Sequence, residues 1–97
     1  MIELSAKTKD VIEILFGAEK SKLIKNILLN ECSTNLPGCA KCDQDHLERI
    51  WLSVLKLSNG KVSEMERAVK LAKTDYRDLF MEAGFDYDLE AHKNWQP

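Results

Sequence analysis

The sequence predicts an all-α fold: a single compact bundle of five or six short helices, with the third, about residues 44–58, at its centre. Three observations carry that expectation. Aliphatic side chains recur every three to four residues along most of the chain. No segment of useful length alternates apolar and polar residues as a half-buried strand does. Gly17, Pro37-Gly38, Asn59-Gly60 and Gly84 cut the chain into helix-sized pieces, and the only prolines are Pro37 and the terminal Pro97.

The first piece carries Val11, Ile12, Leu15 and Phe16 at helical spacing. Ser5 or Thr8 suits its N-cap, and Gly17 either ends it or kinks one longer helix. The second, "AEKSKLIKNILLNEC", places Leu23, Ile24, Ile27 and Leu28 on one face, with Lys20, Lys22 and Lys25 largely opposite. The third, "DQDHLERIWLSVLKLSNG", opens on an Asp and stops at Asn59-Gly60. Leu47, Ile50, Trp51, Val54 and Leu55 form its stripe, and Leu52 and Leu57 widen it until little of the middle is polar. A helix so apolar lies at the centre of a bundle or against another subunit.

The fourth piece begins "SEME", where Ser63 and Glu66 have the spacing of a capping box. Met65, Ala68, Val69 and Ala72 follow as a narrow face of small residues. A fifth helix restarts at Thr74 or Asp75, turns Tyr76, Leu79, Phe80 and Ala83 inward, and closes at Gly84. A last short helix fits "DLEAHKNW", capped by Asp88, with Leu89, His92 and Trp95 near one face.

Ninety-seven residues suffice for one domain, residues 1–97, with a modest core. The 44% hydrophobic and 31% charged content is that of a globular chain rather than a disordered one. Net charge is −2, and residues 1–49 and 50–97 each carry seven basic and eight acidic groups, so no footprint for a phosphate backbone stands out. The first residues, "MIELSAKTKD", lack the apolar run expected of a secretory signal, and no run approaches the roughly 18–20 apolar residues of a membrane span. The expectation is a soluble cytoplasmic protein without membrane contact. Three cysteines are an odd number for a disulfide framework, and the thiols are expected to stay reduced.

One stretch concentrates the reactive side chains. "ECSTNLPGCAKCDQDH", Glu31 to His46, contains Cys32, Cys39, Cys42 and His46. A Cys₃His set would complete a closed tetrahedral zinc site that clips the second helix to the third. Pro37-Gly38 suits the centre of a type II turn that folds the loop back, and Cys42 and His46 are four apart. Against zinc, Asp43 follows the CxxC pair where many knuckles have Gly, Cys32 is a loose single partner, and so aliphatic a chain needs no metal to fold. Two other expectations compete: that Cys32 merely packs while Cys39 and Cys42 lie in a surface loop and His46 decorates a helix start, or that Cys39-Cys42 is a redox pair. The latter lacks the strand that precedes the helix in thioredoxin-like sites. The cofactor expectation is therefore none, or one structural zinc ion.

Elsewhere the residues favour structural roles. Asp75, Asp78 and Glu82 share a helix face near Asp86 and Asp88, as solvated acidic residues at a helix start do, and no EF-hand loop fits. His92 is placed to pair with Asp88. Trp51 and Trp95 read as core and docking residues. A helix-turn-helix across Ala68, Ala72 and Lys73-Thr74 would present Arg77 among Asp75, Asp78 and Glu82, which repels phosphate and disfavours DNA. The group Lys7, Lys9, Lys20, Lys22 and Lys25 is interrupted by Glu13 and Glu19. No phosphate loop, dinucleotide fingerprint or catalytic constellation is found. The leading expectation is a protein–protein interaction or regulatory module that binds a protein partner or itself through the third helix. The alternative is a zinc or thiol redox module at Cys32, Cys39, Cys42 and His46.

Overall fold

A computed structural model describes residues 3–97, leaving the first two positions of the 1–97 domain outside the described residues. Five helices follow one another: α1 (Ala6–Phe16), α2 (Ala18–Glu31), α3 (Gln44–Ser58), α4 (Val62–Ala83) and α5 (Ala91–Asn94). Among the described residues there is no strand. The radius of gyration, 11.9 Å, is close to the roughly 12.5 Å expected of a compact domain of this length.

Caps explain most boundaries. Ser5 Oγ accepts the Thr8 amide at 3.1 Å and opens α1, while Thr8 itself is buried. Gly17, at φ 81° and ψ 165°, donates to the Glu13 carbonyl and separates α1 from α2, so these are two helices. Asp43 Oδ1 accepts the His46 amide at 2.9 Å and starts α3. Asn59, left-handed at φ 49°, ends it.

The chain then turns through Gly60 (φ +79°), where a Cβ would lie 2.7 Å from the Leu15 carbonyl oxygen. Both the positive φ and this approach to α1 require glycine. Gly60→Ala is expected to cost at least about 1–3 kcal/mol, read as a lower midpoint in urea. An unchanged midpoint would show that the turn is not fixed against α1.

The third helix is central, as expected. Leu47, Ile50, Trp51, Leu52, Val54 and Leu55 have no exposed surface. Trp51 Nε1 donates to the Cys32 carbonyl at 2.8 Å, tying the middle of α3 to the end of α2. Arg49 is buried on the same helix. Its guanidinium lies 4.1 Å above the Phe80 ring and donates to the Phe85 carbonyl, so its charge is met by a π face and a backbone dipole.

Four local expectations are corrected. In α2 the buried stripe is Ser21, Ile24 and Leu28, and Leu23 is 51% exposed; Leu23 sits about 100° round the helix from Ile24, outside the strip that faces the core. The Ser63–Glu66 capping box does not form. The Ser58–Lys61 turn already delivers the backbone into helical geometry at Val62, which leaves Ser63 inside α4. Leu89 is 72% exposed, and Asp88 binds the Glu90 amide rather than His92. By contrast, α4 breaks at Asp75 (φ −165°, ψ 108°), whose Oδ1 accepts the Arg77 amide, so a second helical segment does restart there.

The carboxyl-terminal segment docks through His92 and Trp95, which meet Phe85 edge-on at 6.4 and 6.2 Å. Lys7 of α1 donates to the carbonyls of His92 and Lys93. His92 is 2% exposed, and neither ring nitrogen has a hydrogen-bond partner. Burial chiefly lowers its pKa from the ordinary 6.5; Glu48 and Glu90 oppose the shift, and Lys93 and Arg49 add to it. The folded state therefore holds the neutral ring while the unfolded chain takes up a proton near 6.5. This stabilisation is full above that pH and declines as pH falls through it. Chemical denaturation between pH 7.5 and 5 is expected to show falling stability, with a shallower fall in His92→Gln. His46, also lowered, keeps part of the slope in the variant. Equal slopes in both proteins would contradict the assignment to His92.

Candidate metal centre

The loop from α2 to α3 is a series of tight turns. Asn35 fastens its start, donating to the Asn30 carbonyl and accepting the Ser33 amide, each at 3.1 Å. The Leu36–Cys39 turn closes with a 3.0 Å amide–carbonyl bond, with Pro37 and Gly38 at its centre and Gly38 at φ +79°. That is the type II arrangement the Pro-Gly pair predicts. Leu36 anchors the turn in the core. A second turn joins the Cys42 amide to the Cys39 carbonyl at 3.0 Å, and Asp43 then caps α3.

These turns bring Cys39, Cys42 and His46 together. One ligand atom from each lies within 4.8 Å of the others. Cys39 is buried, and Cys42 and His46 are half-buried. The two sulfurs are joined in a disulfide with Cα atoms 4.8 Å apart. The expectation of reduced thiols is corrected here. An odd number of cysteines counts against long-range staples, whereas a tight turn sets two cysteines three apart at bonding range regardless of the third.

Cys32 stands outside this group. It occupies the C-cap of α2, its side chain is fully buried in the core, and its thiol is free. Burial pushes that thiol up to about 12, with Lys73 lowering it and Glu31 raising it. Of the four residues expected from spacing, Cys39, Cys42 and His46 converge and Cys32 does not.

His46 packs edge-on against Tyr76 at 5.0 Å and Phe80 at 5.8 Å. Burial first, and then Arg49, lowers its pKa, while Asp43 opposes them. Its imidazole is neutral at pH 7 and carries a free lone pair. Its Nε2 is buried without a hydrogen-bond partner, an uncommon condition for a buried polar atom. The aromatic wall from Tyr76 and Phe80 comes from α4, some thirty residues away in sequence, and no local signal announces it. Among the described residues, no other group of three Cys, His, Asp or Glu side chains converges. Asp75 instead holds Arg77 through two 3.1 Å contacts.

Comparison with protein-family models, curated proteins and solved structures finds no match. Fold and site together define a small all-α protein with a Cys₂His cluster at the amino-terminal end of its central helix.

Proposed function

We propose that this protein is a small zinc-binding module, in which reduced Cys39 and Cys42 and neutral His46 hold one ion. The convergence of these three donors within 4.8 Å carries the reading. The donor chemistry suits zinc: two soft sulfurs and an imidazole nitrogen are borderline-soft ligands of the kind zinc takes. Cys42 directly precedes the cap of α3, where the positive end of the helix dipole favours a thiolate. Three protein donors leave one corner of a tetrahedron for water or a donor from a partner. The bound ion would fasten the loop to α3. The core is packed without it, so zinc is a local clip here and not a condition of folding.

Of the apolar girth of α3 that favoured helix–helix association, Leu47, Ile50, Trp51, Leu52, Val54 and Leu55 are covered within the chain itself and Leu57 is half-buried. Among the described residues, the large exposed apolar ones, Ile14, Leu23, Met81, Tyr87 and Leu89, belong to α1, α2, α4 and the segment before α5. The interaction reading therefore loses the observation that suggested it.

Metal analysis of protein reduced with a phosphine, loaded with zinc and desalted tests the proposal. About one equivalent of zinc is expected. Less than about a tenth of an equivalent would refute it.

A further inference from the structure

The cluster combines two features that exclude each other chemically. Cys39 and Cys42 are disulfide-bonded, yet with His46 they form a donor set. A zinc site needs thiolates, and at a tetrahedral ion two sulfurs stand about 3.8 Å apart. Bonded sulfurs are neutral and sit within a single bond length, about 2.05 Å in disulfides generally. One pair of side chains therefore has two states, one with metal and one without.

The two sulfurs also differ in access. Cys39 has no exposed surface, whereas Cys42 is partly open to solvent. An incoming reagent reaches Cys42 first, and Cys39 waits behind it within bonding range.

We infer that the site is a redox gate: a low-molecular-weight disulfide of the glutathione class oxidises the pair through Cys42 and expels the zinc. This rests on the zinc reading above. In the first step the zinc-bound Cys42 thiolate attacks one sulfur of the external disulfide. A Cys42–thiol mixed disulfide forms and one external thiolate leaves. In the second step the Cys39 thiolate attacks the Cys42 sulfur. The Cys39–Cys42 bond forms, the mixed disulfide breaks, and a second external thiolate leaves. The cysteine pair loses two electrons and the external disulfide gains them. No proton is taken up or lost by the zinc-bound thiolates, and Zn²⁺ departs because both sulfur ligands have gone. Reduction by excess thiol reverses the sequence. Cys32, fully buried, takes no part.

The test uses the full chain, reduced and loaded with zinc, then treated with glutathione disulfide while a chromophoric chelator reports free zinc. Release is expected to match Cys39–Cys42 disulfide formed, mole for mole, leaving less than about a tenth of the metal bound. Cys39→Ala is expected to accumulate one glutathione on Cys42, and Cys42→Ala to accumulate about tenfold less on Cys39. A brief alkylation of the reduced, metal-free wild type gives the same order without any variant, labelling Cys42 before Cys39. Zinc that stays bound through oxidation overturns the gate and leaves the zinc module standing. Equal labelling of the two cysteines overturns Cys42 as the point of attack. A reduced protein that never takes zinc removes both the module and its gate.

Discussion

Trp51→Ala is expected to lower stability by about 3–5 kcal/mol, the range for emptying a fully buried large aromatic site. For a domain of this size that corresponds to a melting temperature lower by roughly 15–30 °C. Two losses combine. The indole is wholly enclosed at the middle of α3, so its removal leaves a cavity that Ile50, Val54 and the facing helices fill only in part. Its Nε1 is also the donor to the Cys32 carbonyl, a backbone acceptor at the end of α2 that water does not reach. Trp51→Phe separates these terms: it keeps most of the ring volume and is expected to lose about 1–2 kcal/mol through the unpaired carbonyl and residual space. A Trp51→Ala protein melting within a few degrees of wild type would mean that α3 is not the packed axis of the bundle.

The second large effect falls on zinc. In the reduced protein, Cys39→Ser, Cys42→Ser and His46→Ala are each expected to weaken zinc binding by more than the roughly 10–100-fold that loss of an outer-shell partner costs, because each removes a ligand outright. Cys32→Ala should leave the affinity within about threefold of wild type. Competition against a chromophoric chelator measures all four. The contrast between Cys32 and the other three is the informative part, since spacing alone gives all four the same standing. A loss in Cys32→Ala as large as that in Cys42→Ser would return the site to the four-ligand form.

Local chemistry was readable in the sequence. Asp43 and Asn59-Gly60 bound α3 as expected because a cap is a contact between near neighbours, settled by side chains a few residues apart. Asp75 restarts helical geometry for the same reason, its carboxylate taking the Arg77 amide. Pro37-Gly38 turns the loop because proline and glycine fix backbone angles by themselves.

What tertiary packing decides was not readable. Both Ser21 and Leu23 lie near the apolar stripe of α2, and the fit against the rest of the bundle buries the serine. Ser63 has the spacing of a cap, yet the turn from Ser58 to Lys61 starts α4 before it. The Cys/His stretch divides along this line. Cys39, Cys42 and His46 meet because adjoining tight turns and one helix start place them, which is local. Cys32 hangs on the direction in which the C-cap of α2 points its side chain, and the core takes it. The aromatic wall behind His46 and the orphaned nitrogens of His92 depend on elements distant in sequence, and no spacing rule reaches them.

X-ray absorption at the zinc edge of the reduced, zinc-loaded protein tests the central claim most directly, because it counts ligands by element and distance. Two sulfurs at about 2.3 Å and one imidazole nitrogen at about 2.0–2.1 Å, with a further light atom completing the shell, are predicted. A shell of three sulfurs, or one of nitrogen and oxygen alone, would contradict a centre built from Cys39, Cys42 and His46.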